Sequence, residues 1–397
     1  MKILVVSSMY SITGPRTGGN TAFISVLQAL HDLGNEVETL VHASNAGITE
    51  NRLGVPEHLY GRRKAHVGSS GLADMSPALW LRLKSLIRDF SPDLIVVSSP
   101  PGTVCSKALA TLSGQKTKVA YDSHNVELSF FSQYRTKSYV RPRAVMMSAA
   151  QAILERVAVS VSDYVLCMSQ KDLSVFSATY NIDHRKLFLA PSSRPVAQKP
   201  NENQRTVSRR AIGLAPDDFG VVFHGSYSHP PNRQAFELIR MELAPILLKK
   251  EPSAKLFCFG TETPKAEEYN FFSLGQVENV DEVLGCMDVA IVPLLWGAGI
   301  KLKTLDYLAN GLPVVSTKEG VAGFNLNPGE EYFEASSPEE FAEAIGSLIR
   351  SRQLRSALAE KGQEAFKKRL SDLQTKVALE RFLEHVGDKR GVSHHEE

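Results

Sequence analysis

The residues best suited to chemistry lie between positions 296 and 316, where two glycines precede two lysines and a carboxylate. Gly297 and Gly299 would let a ligand approach bare backbone. A helix is predicted at residues 301–310, and the free N–H groups at a helix start favour phosphate. Lys301 and Lys303 add positive charge to its first turn, where the helix dipole does not call for a cation. This segment therefore predicts a site for an anion.

Asp306 follows Lys303 by three residues and so shares its face of the predicted helix. A carboxylate in this position is suited to accept hydrogen bonds from the hydroxyls of a sugar or a ribose. Ala298, Ile300 and Leu302 belong to the same candidate site. The alternative is a solvated lysine and aspartate pair on a helix that follows a glycine-rich loop.

Two further segments could contact a ligand. His124 and Asn125 follow a predicted strand, and the imidazole could hydrogen-bond a sugar hydroxyl, although a lone histidine is more often structural. Gly19 opens the first predicted helix, either as a backbone anion site or as a tight turn beside the capping residue Asn20. Arg16, just before this helix, is a candidate contact for an anionic ligand.

Residues 128–154 contain no acidic residue, whereas Arg135 is one of four basic residues interleaved with aromatic residues and methionines. This composition suits a membrane surface or an anionic ligand such as a lipid-linked phosphate. Nucleic acid is not expected, because no recognisable nucleic-acid-binding fold is present. The alternative is a helix that packs its methionines and phenylalanines into the core and exposes a basic face.

The elements that must position these residues alternate between strand and helix along the chain. This alternation predicts an α/β fold with two doubly wound, Rossmann-like parallel sheets. A segment rich in Pro and Ser at residues 191–205 is predicted to be the linker between two domains. Short apolar runs predict strands at residues 2–7, 36–41, 93–98, 118–121, 163–168, 187–190, 220–224, 255–260, 289–293 and 313–316.

Composition limits the class of protein. The 397 residues suffice for two cores, and 43% hydrophobic with 22% charged residues is typical of a globular protein. The net charge of +2 hides an asymmetry, because 21 basic and 14 acidic residues precede Pro195 whereas 24 basic and 29 acidic residues follow it. The two halves would then face different partners.

Four cysteines without Cys-x-x-Cys spacing favour a reducing compartment, hence the cytoplasm, and argue against a zinc site. No apolar run approaches the roughly 18 residues of a membrane span, so we expect any membrane contact to be peripheral. Neither a Ser-His-Asp order nor a pair of acids typical of glycoside hydrolases is evident.

Four motifs resemble, in their order and spacing across residues 1–320, those of the retaining nucleotide-sugar glycosyltransferases of family 4. Each motif alone is weak, but their order makes the resemblance specific. They are Gly18-Gly19, Tyr121-Asp-Ser-His-Asn-Val-Glu127, Val222-Phe-His-Gly-Ser-Tyr-Ser-His-Pro-Pro-Asn232 and Gly297-Ala-Gly-Ile-Lys-Leu-Lys-Thr-Leu-Asp-Tyr-Leu-Ala-Asn-Gly-Leu-Pro-Val-Val315.

The resemblance implies the GT-B fold, in which two Rossmann-like domains face each other across a cleft. Residues 1–192 would form the acceptor-binding domain and residues 193–370 the nucleotide-sugar-binding domain. Residues 371–397 would form a terminal helix and tail that could cross back to the first domain.

The resemblance also implies roles for the residues of the second domain. Asp306 stands where the family usually has a Glu that binds the donor ribose, and no acid occupies the loop of residues 297–299, where the family commonly has a Glu for the donor sugar. Ser226 and Asn232, beside Gly225, stand where many members clamp the pyrophosphate with an Arg and a Lys. We infer that the lysines at 301 and 303 take over that charge.

In the first domain, the resemblance places His124 beside the transferring sugar and Gly19 near the donor phosphate or the acceptor. Arg16, Asn125 and Arg135 are the candidate acceptor contacts. The expected reaction is front-face substitution, in which the leaving diphosphate helps to deprotonate the incoming hydroxyl, without a metal or other cofactor. The alternatives are a sugar-nucleotide epimerase of the same fold and a non-catalytic nucleotide-sugar-binding subunit.

Overall fold

The structure is a computed structural model that describes residues 1–14, 18–62, 74–136 and 142–388. The chain folds into two compact units. The first unit contains Met1–Ser193 together with the segment that begins at Asp372, and the second contains Arg194–Ser371. Each unit has a sheet with helices packed against it, so the predicted α/β class is confirmed.

The sheet of the first unit is built from parallel strands whose residues are mostly buried, as continuous apolar runs require in a sheet that is covered on both faces. Its strands are β1 (Lys2–Ser7), β2 (Glu36–His42), β3 (Glu57–Tyr60), β4 (Leu94–Val97), β5 (Lys118–Ser123), β6 (Tyr164–Cys167) and β7 (Leu187–Leu189). Their order is β3-β2-β1-β4-β5-β6-β7, which reverses direction at β1. Ligands of doubly wound sheets bind beyond the carboxyl ends of the strands, near such a reversal.

The helices of the first unit begin at residues that suit a helix start. Ser76, Ser99 and Ser169 each accept a hydrogen bond from a backbone N–H of the first turn through the side-chain oxygen. The helices are α1 (Gly18–Asp32), α2 (Pro77–Phe90), α3 (Pro100–Leu112), α4 (Glu127–Tyr134), α5 (Pro142–Val161) and α6 (Gln170–Tyr180).

The second unit contains a sheet in the order β10-β11-β9-β8-β12-β13-β14. Its strands are β8 (Phe219–His224), β9 (Ala254–Phe259), β10 (Ala266–Glu268), β11 (Phe271–Gly275), β12 (Val289–Val292), β13 (Val314–Ser316) and β14 (Phe333–Glu334). The strand β10, which the sequence pattern does not predict, pairs antiparallel with β11 at the edge of this otherwise parallel sheet. An edge strand has only one neighbour, and a short hairpin can reverse its direction.

The helices of the second unit follow the same alternation. A π-helical turn at Ile239–Leu243 joins the helix Pro230–Leu238 to the helix Ala244–Lys250. They are α7 (Glu202–Ala211), α8 (Pro230–Leu238), α9 (Ala244–Lys250), α10 (Val280–Gly285), α11 (Leu302–Ala309), α12 (Pro338–Arg350) and α13 (Arg352–Arg369).

The predicted linker at residues 191–205 is partly wrong, because α7 begins inside it. The Asn201 side chain accepts a hydrogen bond from the Gln204 N–H at 2.9 Å, and the Gln204 side chain accepts one from the Asn201 N–H at 2.9 Å. This reciprocal capping box fixes a helix start in a polar segment that lacks apolar periodicity.

The last described helix, α14 (Asp372–Asp388), belongs to the first unit. Leu379 and Phe382 are fully buried, and the Phe382 ring lies 5.4 Å from the ring of Tyr164 and 5.1 Å from that of Phe188. No helix among the described residues is long and apolar enough to cross a membrane. The four cysteines are free and buried.

Candidate functional site

The glycine loop after β12 takes a backbone course that favours glycine. Gly297 has φ +147° and Gly299 has φ +63°. A Cβ atom on Gly297 would lie 3.3 Å from Cε of Lys301, so a side chain there would press on that lysine. Ala298 and Ile300 are half-buried. The loop therefore presents backbone next to the start of α11.

Lys301 lies immediately before α11, and its ammonium group has two hydrogen-bond acceptors. Its Nζ donates to the Gly299 carbonyl at 2.9 Å and forms an ion pair with Oε1 of Glu319 at 2.7 Å. Leu302, the first residue of the helix, is half-buried against the core of the second unit. Lys301 thus carries a counter-ion that the sequence did not reveal.

Lys303 is buried, and it donates a hydrogen bond to an amide oxygen where a buried lysine would usually have a carboxylate. Its Nζ donates to Oδ1 of Asn232 at 2.6 Å and lies 5.0 Å from the centre of the Phe223 ring. Burial and the nearby charge of Lys301 lower the pKa of Lys303 to about 7, although Asp306 acts in the opposite direction. A buried cation that is this poorly compensated is suited to receive an anion.

The loop after β8 supplies the partner of that lysine. Gly225 has φ +156°, and a Cβ atom there would lie 2.7 Å from Nδ2 of Asn232. The same Nδ2 donates to the Ser226 carbonyl at 3.0 Å. Gly225, Ser226 and Asn232 therefore lie together, and Asn232 connects them to Lys303.

Asp306 is 8% exposed and lies between two groups that carry or can carry positive charge. Its Oδ1 accepts a hydrogen bond from Arg194 at 2.5 Å, and its Oδ2 lies 3.2 Å from Nε2 of His224. Burial favours the neutral acid, but His224 and Arg194 outweigh it and hold the pKa of Asp306 below its usual range. The carboxylate is therefore ionised at neutral pH.

In the first unit, the structure brings His124 and Gly19 to the same aromatic ring. The Tyr10 and His124 rings lie 5.1 Å apart, and a Cβ atom on Gly19 would lie 2.6 Å from Cε1 of Tyr10. The His124 Nε2 is buried, lies 3.4 Å from Oδ2 of Asp122 and has no hydrogen-bond partner among the described residues. It keeps hydrogen-bonding capacity for a ligand.

The remaining candidates in the first unit are less enclosed. Asn125 is half-buried, and its carbonyl accepts a hydrogen bond from the Ser123 hydroxyl at 2.6 Å. Arg135 is exposed directly after α4. Arg16 lies outside the described residues.

Two family models match the chain. The model described as "Glycosyltransferase Family 4" matches residues 16–192, and the one described as "Glycosyl transferases group 1" matches residues 218–351. Together they cover well over half of the sequence. The chain belongs to the glycosyltransferases. The family resemblance predicted from the four motifs is therefore confirmed.

Solved structures show that this glycosyltransferase has the GT-B fold. Sucrose-phosphate synthase from Thermosynechococcus elongatus is 14% identical with a TM-score of 0.77, and the alignment covers 98% of this chain and 100% of that one. Anabaena HepE, solved in complex with UDP and glucose, is 15% identical with a TM-score of 0.72 over 97% and 99% of the two chains. WaaG, a glycosyltransferase involved in lipopolysaccharide biosynthesis, is 15% identical with a TM-score of 0.69 over 95% and 98%.

A curated relative from Klebsiella pneumoniae is described as an uncharacterized 44.6 kDa protein in the cps region. It is 30% identical over 138 residues, which cover 32% of this glycosyltransferase. The match spans only 36% of the length of that relative.

Four residues around the candidate site were missed by sequence reasoning: Arg194, His224, Asp281 and Glu319. Arg194 lies in the predicted linker, and its contact with Asp306 spans 112 positions, so no local pattern could reveal it. His224 lies inside a quoted motif and could have been found there. Within the described ranges, no group of three or more His, Cys, Asp or Glu side chains is arranged to hold a metal ion.

Proposed function

We propose that this glycosyltransferase moves a sugar from a nucleotide diphosphate sugar to an acceptor, with retention of the anomeric configuration. The observation that carries the proposal is the pair of buried lysines at the start of α11, one of them with a pKa near 7, beside an ionised Asp306. Lys301 is already paired with Glu319, whereas Lys303, which donates to the amide oxygen of Asn232, would gain the stabilisation of an anion from a bound diphosphate. HepE was solved with UDP, so UDP-sugars are the first donors to test.

The second unit would hold the donor. Lys301, Lys303 and backbone N–H groups at the start of α11 would bind the diphosphate, and Asp306 would accept hydrogen bonds from the ribose. The remaining donor contacts proposed in this unit are Gly225, Ser226, Asn232, Gly297, Ala298, Gly299, Ile300 and Leu302. Gly19, in the first unit, is a further proposed donor contact.

The proposed transfer is a front-face substitution. The bond between the anomeric carbon and the diphosphate oxygen breaks while the acceptor oxygen bonds to the same face of that carbon. The acceptor proton passes to the departing diphosphate, whose negative charge Lys301 and Lys303 stabilise. No carboxylate nucleophile and no metal ion are required by this scheme.

His124 is the proposed catalytic residue of the first unit. Its Nε2, which has no hydrogen-bond partner within the described part of the chain, would hydrogen-bond a hydroxyl of the donor sugar. Alternatively, its backbone carbonyl would stabilise positive charge that develops at the anomeric carbon. Arg16, Asn125 and Arg135 would contact the acceptor, which is a glycan, a lipid-linked glycan or a small molecule. An exposed apolar stripe on α5, formed by Met146, Ile153 and Val157, supports peripheral membrane contact.

The first experiment is a thermal-shift screen of UDP-, GDP- and ADP-sugars, without and with EDTA. A ligand at a hundredfold excess over its dissociation constant stabilises the native state by about 2.7 kcal/mol. The donor found in this way is then incubated with glycan and lipid-linked acceptors, and the anomeric configuration of the product is determined by NMR.

Retention and insensitivity to EDTA are expected. Release of a free epimerised donor without any acceptor, or donor binding without transfer or hydrolysis, would overturn the proposal. Trapping of a covalent glycosyl-enzyme would contradict the front-face step.

A further inference from the structure

Arg194 is the first residue of the second unit and the least expected neighbour of the candidate donor site. It is 8% exposed, although it lies in a polar segment with the composition of a linker. Its backbone pairs with Ser371, the last residue of the same unit. The backbone position of Arg194 is therefore fixed by a β-bridge between the first and last residues of the unit.

The Arg194 guanidinium connects two carboxylates. One terminal nitrogen donates to Oδ1 of Asp306 at 2.5 Å, and the other donates to both oxygens of Asp281 at 2.7 and 2.8 Å. Asn310, the residue that follows α11, donates to Asp281 at 2.9 Å. The planar fork of an arginine can hold two such acceptors at a set angle, which the single ammonium of a lysine cannot do.

The contacts of Asp306 leave it able to accept further hydrogen bonds. Each carboxylate oxygen has about two lone-pair sites, and Arg194 uses one site of Oδ1. The His224 Nε2 lies 3.2 Å from Oδ2 and can use at most one of the two lone-pair sites of that oxygen, so Oδ2 also keeps acceptor capacity. Without Arg194, the Asp306 carboxylate would lose the donor that fixes its Oδ1.

We propose that Arg194 is a positioning residue of the donor site: it fixes the Asp306 carboxylate in the orientation in which its free lone pairs accept hydrogen bonds from the ribose hydroxyls of a nucleoside diphosphate. This inference rests on the proposed function and adds to it a residue that selects ribose. Arg194 acts through Asp306 and does not touch the donor.

The test compares ribonucleotides with deoxyribonucleotides. Dissociation constants of UDP, GDP and ADP and of their 2′-deoxy counterparts are measured by calorimetry for the wild-type chain and for Arg194→Lys. Since a hydrogen bond to a charged group is worth about a tenfold change in affinity or more, we expect the wild type to prefer its ribonucleotide by about tenfold. Arg194→Lys keeps the positive charge but loses the fork, and we expect this preference to fall to about twofold.

The matched control is Arg205→Lys, which weakens an ion pair with Asp288 at 2.7 Å in the same unit. It should lower the melting temperature without changing the preference for ribose. Arg194→Met should abolish the preference if it folds, and Asp306→Asn should lower it in a chain that keeps Arg194. An unchanged preference in folded Arg194→Lys would overturn the inference while donor binding stands. Failure of the wild type to bind any of the nucleotides would instead overturn the proposed function.

Discussion

At the scale of single residues, the pKa of Lys303 makes a prediction about pH. A lysine with a pKa of about 7 is charged below pH 7 and loses its proton above it. If Lys303 binds the diphosphate, the affinity for a nucleotide sugar is highest near pH 6 and falls by about tenfold per pH unit above 7, until the pKa of the bound state is reached. UDP-glucose is a suitable probe because neither of its phosphates titrates in this range.

The comparison for this prediction is Lys303→Met, for which the affinity should be weak and independent of pH between 6 and 9. Lys318→Met serves as the control, since Lys318 is exposed on the loop after β13 and its ion pair with Glu334 is long, at 3.6 Å. It should retain the wild-type pH profile. A flat profile in the wild type would remove Lys303 from the donor site.

The spacing of Lys301, Lys303 and Asp306 was readable from the sequence because helix periodicity is a local property. Their partners were not. Glu319 and Arg194 reach the site from segments that are distant in sequence, and both contacts depend on how strands and helices pack. The sequence therefore identified Lys301, Lys303 and Asp306 as candidate charged groups, whereas the charged residues that surround them required the fold.

At the scale of elements, the close approach of β8 and β9 makes a prediction about stability. A Cβ atom on Gly260, which follows β9, would lie 2.1 Å from the carbonyl oxygen of Gly225, which follows β8. Because that atom belongs to the backbone, it cannot rotate away. We expect Gly260→Ala to lower the free energy of unfolding in urea by about 3 kcal/mol, the upper range for overpacked sites.

Gly213→Ala is the control, because Gly213 has a positive φ of +78°, as Gly260 has one of +152°, but no atom of the described residues lies within 4 Å of its Cβ position. Its cost should be that of the backbone conformation, about 1 kcal/mol. Gly260→Ala should also weaken UDP-glucose binding, since Asn232 donates to the carbonyl of Ser226, next to Gly225, and accepts a hydrogen bond from Lys303. Equal losses of stability in the two variants would contradict the predicted steric clash.

The buried strands and the long helices were predictable, whereas the strands β3, β10 and β14 were not. Buried strands such as β1 and long amphipathic helices such as α12 have enough residues to show a period. The strands β3, β10 and β14 have between two and four residues and lie at sheet edges. They are partly exposed, so they lack the continuous apolar run by which buried strands are predicted. The start of α7 depends on one capping box, which a search for apolar periodicity overlooks.

At the scale of the whole molecule, charge is divided unevenly along the chain. The second unit, Arg194–Ser371, which carries the candidate diphosphate site, has 21 basic and 23 acidic residues, so the site's lysines act against a small net negative charge of the unit. The basic surplus lies in the half before Pro195, which includes the acid-free segment at 128–154. This division supports an acceptor that is anionic or borne on an anionic membrane.

The charge division predicts that the full chain binds vesicles containing anionic phospholipid and releases them as salt is added. Raising the ionic strength from about 0.1 to about 1 M shortens the Debye length from about 10 to about 3 Å, so cosedimentation should fall steeply. Arg135→Glu should weaken binding by at least about fivefold, since one basic residue near such a surface contributes about 1 kcal/mol. Lys249→Glu makes the same charge change on α9 and should have little effect. Equal effects of the two variants, or binding that salt leaves unchanged, would show that this basic segment does not select the acceptor.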